Sequence, residues 1–599
     1  MTGVRRSLGP LAAGLVVGLY AAAFRHYGIF DLADEGTLLV QAARVAHGQA
    51  PYVDFHTGYG TLYFALQGLL VRVGGLDAIR ALLVGVQAIG AALLYALTRR
   101  TAGRGLAVVA VALQVSFFLP LAPRQGAPFF VPYPAWYATL GSLAVVLLLR
   151  DPLGRGGWPR AACVGVLSGA AFAMKQNTGL LLAGGSAAVF VLAGRASVVS
   201  SAVLALLAIG AVALVVPTGF TAAAWVLAPP VLALAALGVP RGRSPERAAR
   251  HLVALGAGFM GVAAASYVRS LLALGPERFA REVLLVGAGV AGIYVLPFPW
   301  PAALAAAVGA AAFFGASRPG ARSVLAVAVL ATLVVAGVVG AAGAAGVRVA
   351  LRRSAEAVAL TVVPLTLWGA LAIFRRRRED ALLAPTAIAV ATAPVLYPRP
   401  DFAHLMQIAP LLLPLALLLW RTMVERIAVL PRRVAPALVL GLPLLAAALR
   451  FAPTVELLAR LATGRVEEVA IGPARLVAAA DGVAPLRALA DVVEQVAGRT
   501  AADDRILTFP ACGVVPFFAG RLPIGRHDYF YPGRPDRAEM AAVLDELGPL
   551  LPDLAVTCTP ASAELRNAWR YYPSMVDLLS TRYRVVAEHL PFAVRERRR

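Results

Sequence analysis

Long apolar runs, most of them bounded by arginine, recur along the first 450 residues of this 599-residue chain. An α-helix needs roughly 20 apolar residues to cross a bilayer, and these runs approach that length. Hydrophobic residues make up 59% of the chain and charged residues 15%, whereas about 25% of a soluble protein is charged. The pattern excludes a soluble multidomain protein and predicts a polytopic α-helical membrane protein with fifteen spans. The predicted spans are residues 10–28, 81–98, 106–121, 133–149, 161–174, 178–194, 200–216, 221–238, 251–274, 300–315, 323–346, 356–374, 382–397, 405–420 and 434–450.

The positive charge of the chain indicates membrane orientation and excludes nucleic acid as a partner. The formal net charge is +23, and the arginines cluster at the ends of apolar runs. Such clusters mark the cytoplasmic side of a membrane, whereas a nucleic-acid interface needs a continuous basic face. Fifteen spans put the N-terminus inside and the C-terminal region outside. Arg348, Arg352 and Arg353 fall on the opposite side from the other clusters, and an even number of spans would reverse the side of the C-terminal region.

The last 150 or so residues differ in pattern from the rest. Short alternating segments such as Arg505–Phe509 predict strands, and Arg537–Leu547 predicts a helix. We therefore expect a small extracytoplasmic α/β domain over residues 451–599, after a transmembrane catalytic domain over residues 1–450. Cys512 and Cys558 can pair if this domain lies outside the cytoplasm, and two unpaired thiols are equally consistent with the sequence.

A cluster of acids follows the first span, in the first outer loop (residues 29–80). Asp34 and Glu35 close the sequence Asp-Leu-Ala-Asp-Glu, and carboxylates this near to hydrocarbon are costly. They predict a general base or a metal ligand, with a solvated acidic loop as the alternative. The segments Thr37–His47 and Thr61–Val73 are amphipathic, which predicts two interfacial helices on the membrane surface.

Further polar residues of the first outer loop are candidates for substrate binding. Asp54 and His56 lie in the sequence Pro-Tyr-Val-Asp-Phe-His, and Tyr59 lies between two glycines. A histidine in such a loop is more often simply hydrogen-bonded than a metal ligand.

Lys175 is the only lysine in the chain, and 54 other basic residues are arginine. It precedes Gln176 and Asn177 between two short apolar runs, and Asn177 is one of only two asparagines. The alternative is a lysine whose charged end reaches out of the membrane at the end of a span. A compact ammonium group with two amide neighbours predicts a phosphate-binding turn.

A late outer loop carries Arg399, Asp401 and His404 around two prolines. The prolines restrict the loop to an extended conformation, which holds the three side chains in a defined geometry. Arg399 and His404 suit a phosphate. A weaker cluster combines Pro123–Gln125 with the aromatic segment 132–136, which is also typical of an interfacial aromatic belt.

An acidic base, cations and interfacial helices on one membrane face suit transfer of a sugar from a lipid phosphate. The base deprotonates the incoming hydroxyl or amine, and cations, or a divalent metal ion bound by Asp34, Glu35 and His404, take up charge on the departing phosphate.

These motifs resemble the GT-C glycosyltransferases, among them the aminoarabinose transferases and the protein O-mannosyltransferases of glycosyltransferase family 39. The resembling residues are Ala33–Gly36, Pro51–Asp54, Gly58–Gly60, Lys175–Asn177 and Arg399–Asp401 with His404. The resemblance implies Asp34 as the base, Glu35 as its positioning neighbour, and Lys175, Arg399 and His404 as phosphate ligands. It implies a GT-C fold and an inverting transferase that uses a polyprenyl-phosphate sugar.

The sequence thus predicts a multi-pass plasma-membrane glycosyltransferase with its active site on the extracytoplasmic side. The donor is a polyprenyl-phosphate monosaccharide, and the acceptor is a cell-envelope glycan, lipid or protein. The alternative is a transporter or flippase of lipid-linked sugars. That alternative predicts ionisable residues at span centres, whereas here they lie mainly at span ends.

Overall fold

The architecture is that of a multi-pass helical membrane protein with a small C-terminal sheet domain. The computed structural model describes residues 2–119, 128–153, 157–194, 202–203, 205–206, 209–210, 222–237, 245–285, 300–315, 321–344, 346–377, 379–397, 399–425, 434–559 and 566–599. Within these residues, six helices are long and apolar enough to cross a membrane: Thr61–Thr101, Gln176–Ala193, Glu246–Leu284, Arg353–Arg377, Phe402–Val424 and Val434–Ala462.

The membrane part consists of helices in an almost unbroken succession. In chain order they are α1 (Thr2–Ala23), α2 (Asp34–Ala46), α3 (Thr61–Thr101), α4 (Arg104–Leu113), α5 (Pro134–Leu148), α6 (Gly157–Met174), α7 (Gln176–Ala193), α8 (Ala222–Ala236), α9 (Pro245–Phe279), α10 (Trp300–Gly315), α11 (Ala321–Ala341), α12 (Val347–Arg377), α13 (Asp380–Thr392), α14 (Phe402–Val424) and α15 (Val434–Ala462). They overlap the predicted spans wherever those fall on described residues. Most of the predicted span 200–216, and Pro123–Gln125, lie outside the described residues.

The first outer loop contains the two helices that its amphipathic pattern predicts. Helix α2 ends before Gly48, whose φ of +89° favours glycine and stops the helix. The second amphipathic stretch is continuous with the following span in α3, but the helix kinks at Gly74 and Gly75. Gly75 has a φ of +58°, a conformation in which a side chain would be strained. The kink separates the interfacial stretch from the spanning one.

The C-terminal domain is built on a mixed five-stranded sheet, and the strand order is β4-β3-β5-β7-β6. Strands β3, β4 and β5 are parallel, and β7 pairs antiparallel with both β5 and β6. Helix α15 runs to Ala462, past the predicted domain boundary at residue 450, and a β1–β2 hairpin leads into the domain. The elements are β1 (Glu467–Ile471), β2 (Ala474–Ala478), α16 (Ala480–Arg499), β3 (Arg505–Phe509), α17 (Val514–Ala519), β4 (Leu522–Pro523), α18 (Arg537–Leu547), β5 (Leu554–Cys558), α19 (Ala568–Tyr571), α20 (Pro573–Arg582), β6 (Tyr583–His589) and β7 (Phe592–Arg597).

A disulfide joins Cys512, before α17, to Cys558, at the end of β5. The Cα atoms are 6.0 Å apart, within the usual range for a disulfide. Of the two alternatives that the sequence leaves open, the structure has the paired one.

The C-terminal domain packs directly on α2, backbone against backbone. A Cβ atom on Gly36 would lie 2.5 Å from the Val514 amide nitrogen, and one on Gly513 would lie 2.7 Å from the Gly36 carbonyl oxygen. Only glycine at both positions permits this approach. The contact fixes α2 between the membrane part and the sheet.

One buried ion pair holds the other end of α2 to the same domain. The Arg44 guanidinium lies 3.3 Å from the Asp528 carboxylate, and both side chains are 1% exposed. Arg44 also donates to the Gly525 carbonyl at 2.8 Å, and Gln41 donates to Asp528 at 2.8 Å. A buried charge is tolerated only when it is paired and hydrogen-bonded in this way.

Candidate active site

The turn before α2 sets the direction of its first side chains. The Asp31 carboxylate accepts the Ala33 and Asp34 backbone N–H groups at 2.8 and 3.0 Å, which satisfies donors that would otherwise be unpaired at a helix start. Asp34 and Glu35 then follow one another on the helix, where successive side chains point about 100° apart. The two acids therefore face different surroundings.

Glu35 is fully buried in a second ion pair. Its carboxylate lies 3.1 Å from the Arg80 guanidinium of α3 and accepts the Phe30 N–H at 2.9 Å. Arg80 donates in addition to the Gly28 carbonyl at 2.6 Å. These contacts tie the loop between α1 and α2 to α3, so Glu35 stabilises the helix that carries Asp34.

Asp34 is half-buried, and one of its oxygens is engaged. The Tyr133 hydroxyl, just before α5, donates to Oδ2 at 2.8 Å, whereas Oδ1 has no hydrogen-bond partner in the part of the chain that the structure describes. Burial, and then the negative charge of Asp31, raise the pKa of Asp34 to about 7. A carboxylate with this pKa is ionised in part at neutral pH and takes up a proton readily.

The late outer loop lies within electrostatic range of Asp34. The positive charge of Arg399 lowers the pKa of Asp34, and the negative charge of Asp401 raises it. Arg399 lies 3.1 Å from the Asp401 carboxylate. Asp401 also accepts the His404 backbone N–H at 2.9 Å and contacts the His404 ring nitrogen Nδ1 at 2.8 Å, which caps α14. The sequence-predicted trio is thus held as one unit.

Lys175 lies in the turn between α6 and α7 and reaches the same helix, α14. Its ammonium group donates to the side chain of Gln407, which is one turn beyond His404. Among the described residues, no carboxylate lies within ion-pair distance of Lys175. Burial lowers the pKa of Lys175 to about 8, because no negative charge compensates the ammonium group.

The Lys175 turn is joined to the first outer loop. Gln176 donates to the Tyr52 hydroxyl at 2.7 Å, and that hydroxyl donates to the Tyr59 carbonyl. The Gly60 amide donates to the Met174 carbonyl at 3.0 Å. A Cβ atom on Gly60 would lie 1.9 Å from the Ala173 carbonyl oxygen, so the two segments could not approach with another residue there.

Three sequence-predicted residues lie elsewhere or contribute differently. Asn177 is exposed, and its side-chain oxygen accepts from the adjacent Thr178 hydroxyl at 3.3 Å. The His56 ring stacks on His527 of the C-terminal domain with centroids 5.4 Å apart, and burial keeps its pKa well below the usual value, so it is neutral. Asp54 is exposed and lies toward the other end of α2, where it lines a groove described below.

Arg534 is a cation that sequence reasoning did not single out. Arg534 belongs to the C-terminal domain, and its guanidinium lies close to Gly58 of the first outer loop. A Cβ atom added to Gly58 would lie 3.2 Å from a guanidinium nitrogen. Arg534 interacts electrostatically with Tyr59 and Tyr52, and burial lowers its pKa. Within the described residues no carboxylate forms an ion pair with it. The sequence held no signal for it, since it is one arginine among 54.

Two further contacts could not be assigned from the sequence. Tyr133 belongs to a segment interpreted as an aromatic belt, yet its hydroxyl contacts the candidate base. Gln407 lies inside an apolar helix, where it accepts from Lys175. The first contact forms because the segment before α5 approaches α2, and the second because the turn between α6 and α7 approaches α14.

The described residues do not fit a resident metal ion. Glu35 is engaged by Arg80 and the Phe30 amide, and His404 by Asp401. No group of three or more His, Cys, Asp or Glu side chains in the described ranges could hold a metal.

Comparison with known proteins finds similarity at the level of solved structures alone. No family model and no curated protein sequence matches the chain. An oligosaccharyltransferase from Archaeoglobus fulgidus, solved with Zn and sulfate, is 13% identical with a TM-score of 0.43, over 91% of this chain and 68% of that one. ArnT from Cupriavidus metallidurans, solved with undecaprenyl phosphate, is 13% identical with a TM-score of 0.41, over 98% and 97%.

Proposed function

We propose that this protein is an inverting, integral-membrane glycosyltransferase. It moves a monosaccharide from a polyprenyl-phosphate donor to a cell-envelope acceptor, which is a glycan, a lipid or a protein. The acceptor binds next to Asp34, and the lipid phosphate binds among Lys175, Arg399 and Arg534.

The main support for the proposal is that two cations of this site have no carboxylate partner among the described residues, whereas a nearby acid can act as a base. Asp34 has a free oxygen and a raised pKa, which suits a base. Gln176, the neighbour of Lys175, donates to Tyr52, and Arg534 interacts electrostatically with Tyr52 and Tyr59. Neither Lys175 nor Arg534 has a carboxylate partner among the described residues. Desolvated cations without a counter-charge are costly unless a ligand supplies the anion. A phosphate group is such a ligand.

The reaction balances with these groups alone. The acceptor oxygen or nitrogen forms a bond to the anomeric carbon while Asp34 Oδ1 takes its proton. The bond between the anomeric carbon and the phosphate oxygen breaks, and its electron pair stays on the phosphate. Lys175, Arg399 and Arg534 stabilise the charge that develops on that oxygen. Because attack and departure occur on opposite faces of the sugar, the configuration inverts.

The hydrogen bond from Tyr133 orients the Asp34 carboxylate for the proposed reaction. It satisfies Oδ2 and fixes the carboxylate plane, so that Oδ1 remains for the acceptor. The pair Glu35–Arg80 holds the start of α2 in place beneath it. Both are positioning contacts.

We propose that the site faces outward from the plasma membrane. The Cys512–Cys558 disulfide in the adjoining domain supports this side, because disulfides persist in oxidising compartments. The arginine clusters Arg99–Arg100 and Arg375–Arg377 lie at the ends of α3 and α12. Such clusters mark the cytoplasmic side of a membrane, so they also support an outward-facing site.

Asp34→Asn tests the proposal directly. Membranes that contain the variant and a labelled polyprenyl-phosphate sugar should transfer roughly 10² to 10⁴ times more slowly than wild type, the usual contribution of a general base. The control is Asp577→Asn, an exposed acid of α20, which should transfer at the wild-type rate. Unchanged transfer by Asp34→Asn would remove the proposed base. Loss of lipid translocation with transfer intact would favour the transporter alternative.

A further inference from the structure

A polar groove lies at the opposite end of α2 from Asp34. Its volume is about 800 Å³, and its walls come from the end of α2 and from the C-terminal domain. This volume falls within the roughly 300–1,000 Å³ of small-molecule sites. Helix α2 has 13 residues, so at about 1.5 Å per residue the groove lies roughly 20 Å from the candidate base.

The groove is preformed by contacts between its two walls. Arg44 bonds Asp528 and the Gly525 carbonyl on one side, and the Asp54 carbonyl at 3.1 Å on the other. Arg526 donates to the Tyr52 carbonyl at 2.7 Å and pairs with Glu282 at 3.0 Å. The Arg526 Nε atom is buried without a partner. The walls are therefore held in place before any ligand arrives.

The lining is rich in charge, with four arginines and four acids. Arg44 and Arg526 are already paired with Asp528 and Glu282, which lie outside the lining, so the remaining charges disfavour an anionic ligand such as a phosphate. Arg505, Arg499, Asp553 and Glu546 are exposed there, and in the described part of the chain they form no ion pair with one another. Their donors and acceptors are free for a ligand that offers both kinds of group.

Aliphatic side chains lie among these polar groups. Leu522, Ile524, Leu551 and Pro552 line the same groove. A sugar ring has apolar C–H faces and hydroxyl edges that donate and accept, which matches this combination of lining groups. A single charged headgroup does not.

We propose that this groove binds a neutral saccharide segment of the acceptor, several units away from the hydroxyl that receives the new sugar. The inference rests on the proposed glycosyl transfer, because the same acceptor must reach both the groove and Asp34. It narrows the acceptor to a neutral glycan, or to a molecule that carries one.

The test is binding to the full-length protein in detergent by isothermal titration calorimetry. The probes are linear neutral tetrasaccharides of hexose and of pentose, with a hexuronic acid tetrasaccharide of equal length. At least one neutral probe should bind, and the acidic probe should bind more weakly. Arg505→Ala and Asp553→Ala should each weaken binding of the neutral probe about tenfold, which corresponds to the loss of one hydrogen bond to a charged group.

Two further variants separate this inference from the proposed function. Arg475→Ala, an exposed arginine of the β1–β2 hairpin outside the groove, should bind the probe as wild type does. Asp34→Asn should also bind it normally while losing transfer. Binding of no neutral probe, tighter binding of the acidic probe, or full binding by Arg505→Ala and Asp553→Ala would overturn the groove assignment. Any of these results would leave the role of Asp34 intact.

Discussion

The protein has two kinds of desolvated cation, and they differ in whether a carboxylate compensates their charge. Arg44 and Arg80 are each about 1% exposed, and each pairs with a carboxylate from another segment, Asp528 and Glu35. Lys175 is paired with no carboxylate in the described structure, and its ammonium group donates to the neutral side chain of Gln407. The first kind has its counter-charge within the fold, and its role is structural. The second kind lacks one, which is the electrostatic condition for binding an anionic substrate.

The largest effect should follow from breaking a compensated pair. Arg44→Met leaves the Asp528 carboxylate buried and unpaired, so we expect the free energy of unfolding in detergent micelles to fall by about 3–5 kcal/mol. Arg44→Met with Asp528→Leu should recover most of that loss, because both charges are removed. Arg475→Met serves as control, since it breaks a pair in which Arg475 is 77% exposed, a contact worth about 1 kcal/mol or less. A small loss for Arg44→Met alone would contradict the structural role.

Removing a cation that has no carboxylate partner should weaken ligand binding but should not lower stability. Lys175→Gln should weaken binding of a polyprenyl phosphate by roughly 10- to 100-fold, the value of a hydrogen bond to a charged group of about 1.5–3 kcal/mol. Stability should stay equal or rise, because a desolvated charge has gone. The measurement is titration with the phosphate and with the neutral polyprenol, whose binding should not change. Arg584→Gln, an exposed arginine of β6, is the matched control. Equal losses for phosphate and polyprenol would mean that Lys175 is structural.

The smallest effect should appear in the pH dependence of kcat/KM. Asp34, with a pKa of about 7, must be deprotonated to act as a base, so its acidic limb should be half-maximal near that pH and about tenfold below the fully deprotonated limit one pH unit lower. Lys175, with a pKa of about 8, must be protonated to hold phosphate, so activity should fall above that pH. Lys175→Arg should remove the alkaline fall and keep the acidic limb. An alkaline fall that persists in Lys175→Arg would assign it to another group.

Local sequence patterns predicted much of the architecture. The apolar runs predicted the helices, the alternation at Arg505–Phe509 predicted β3, and Arg537–Leu547 predicted α18 with the same first and last residues. The glycine at position 48 correctly predicted where α2 ends. These predictions succeed because periodicity and a helix stop depend on residues only a few positions apart.

Contacts between side chains far apart in the sequence could not be predicted in the same way. Asp34 and Glu35 are adjacent and chemically alike, and nothing in their sequence positions predicts that Arg80 pairs with Glu35 or that Tyr133 contacts Asp34. Arg534 comes from a domain 500 residues further on and has no distinguishing pattern. Partners this distant depend on how whole helices and a sheet pack.

By itself, the sequence determined that this chain forms apolar helices, where the first outer loop and the sheet domain lie, and that its only lysine stands among arginines. The tertiary structure decided which charges are compensated. Burial makes an unpaired charge costly, and whether a charge is paired depends on segments brought together from across the chain. The same residue types are therefore structural at Arg44 and Glu35 and candidates for chemistry at Lys175 and Asp34.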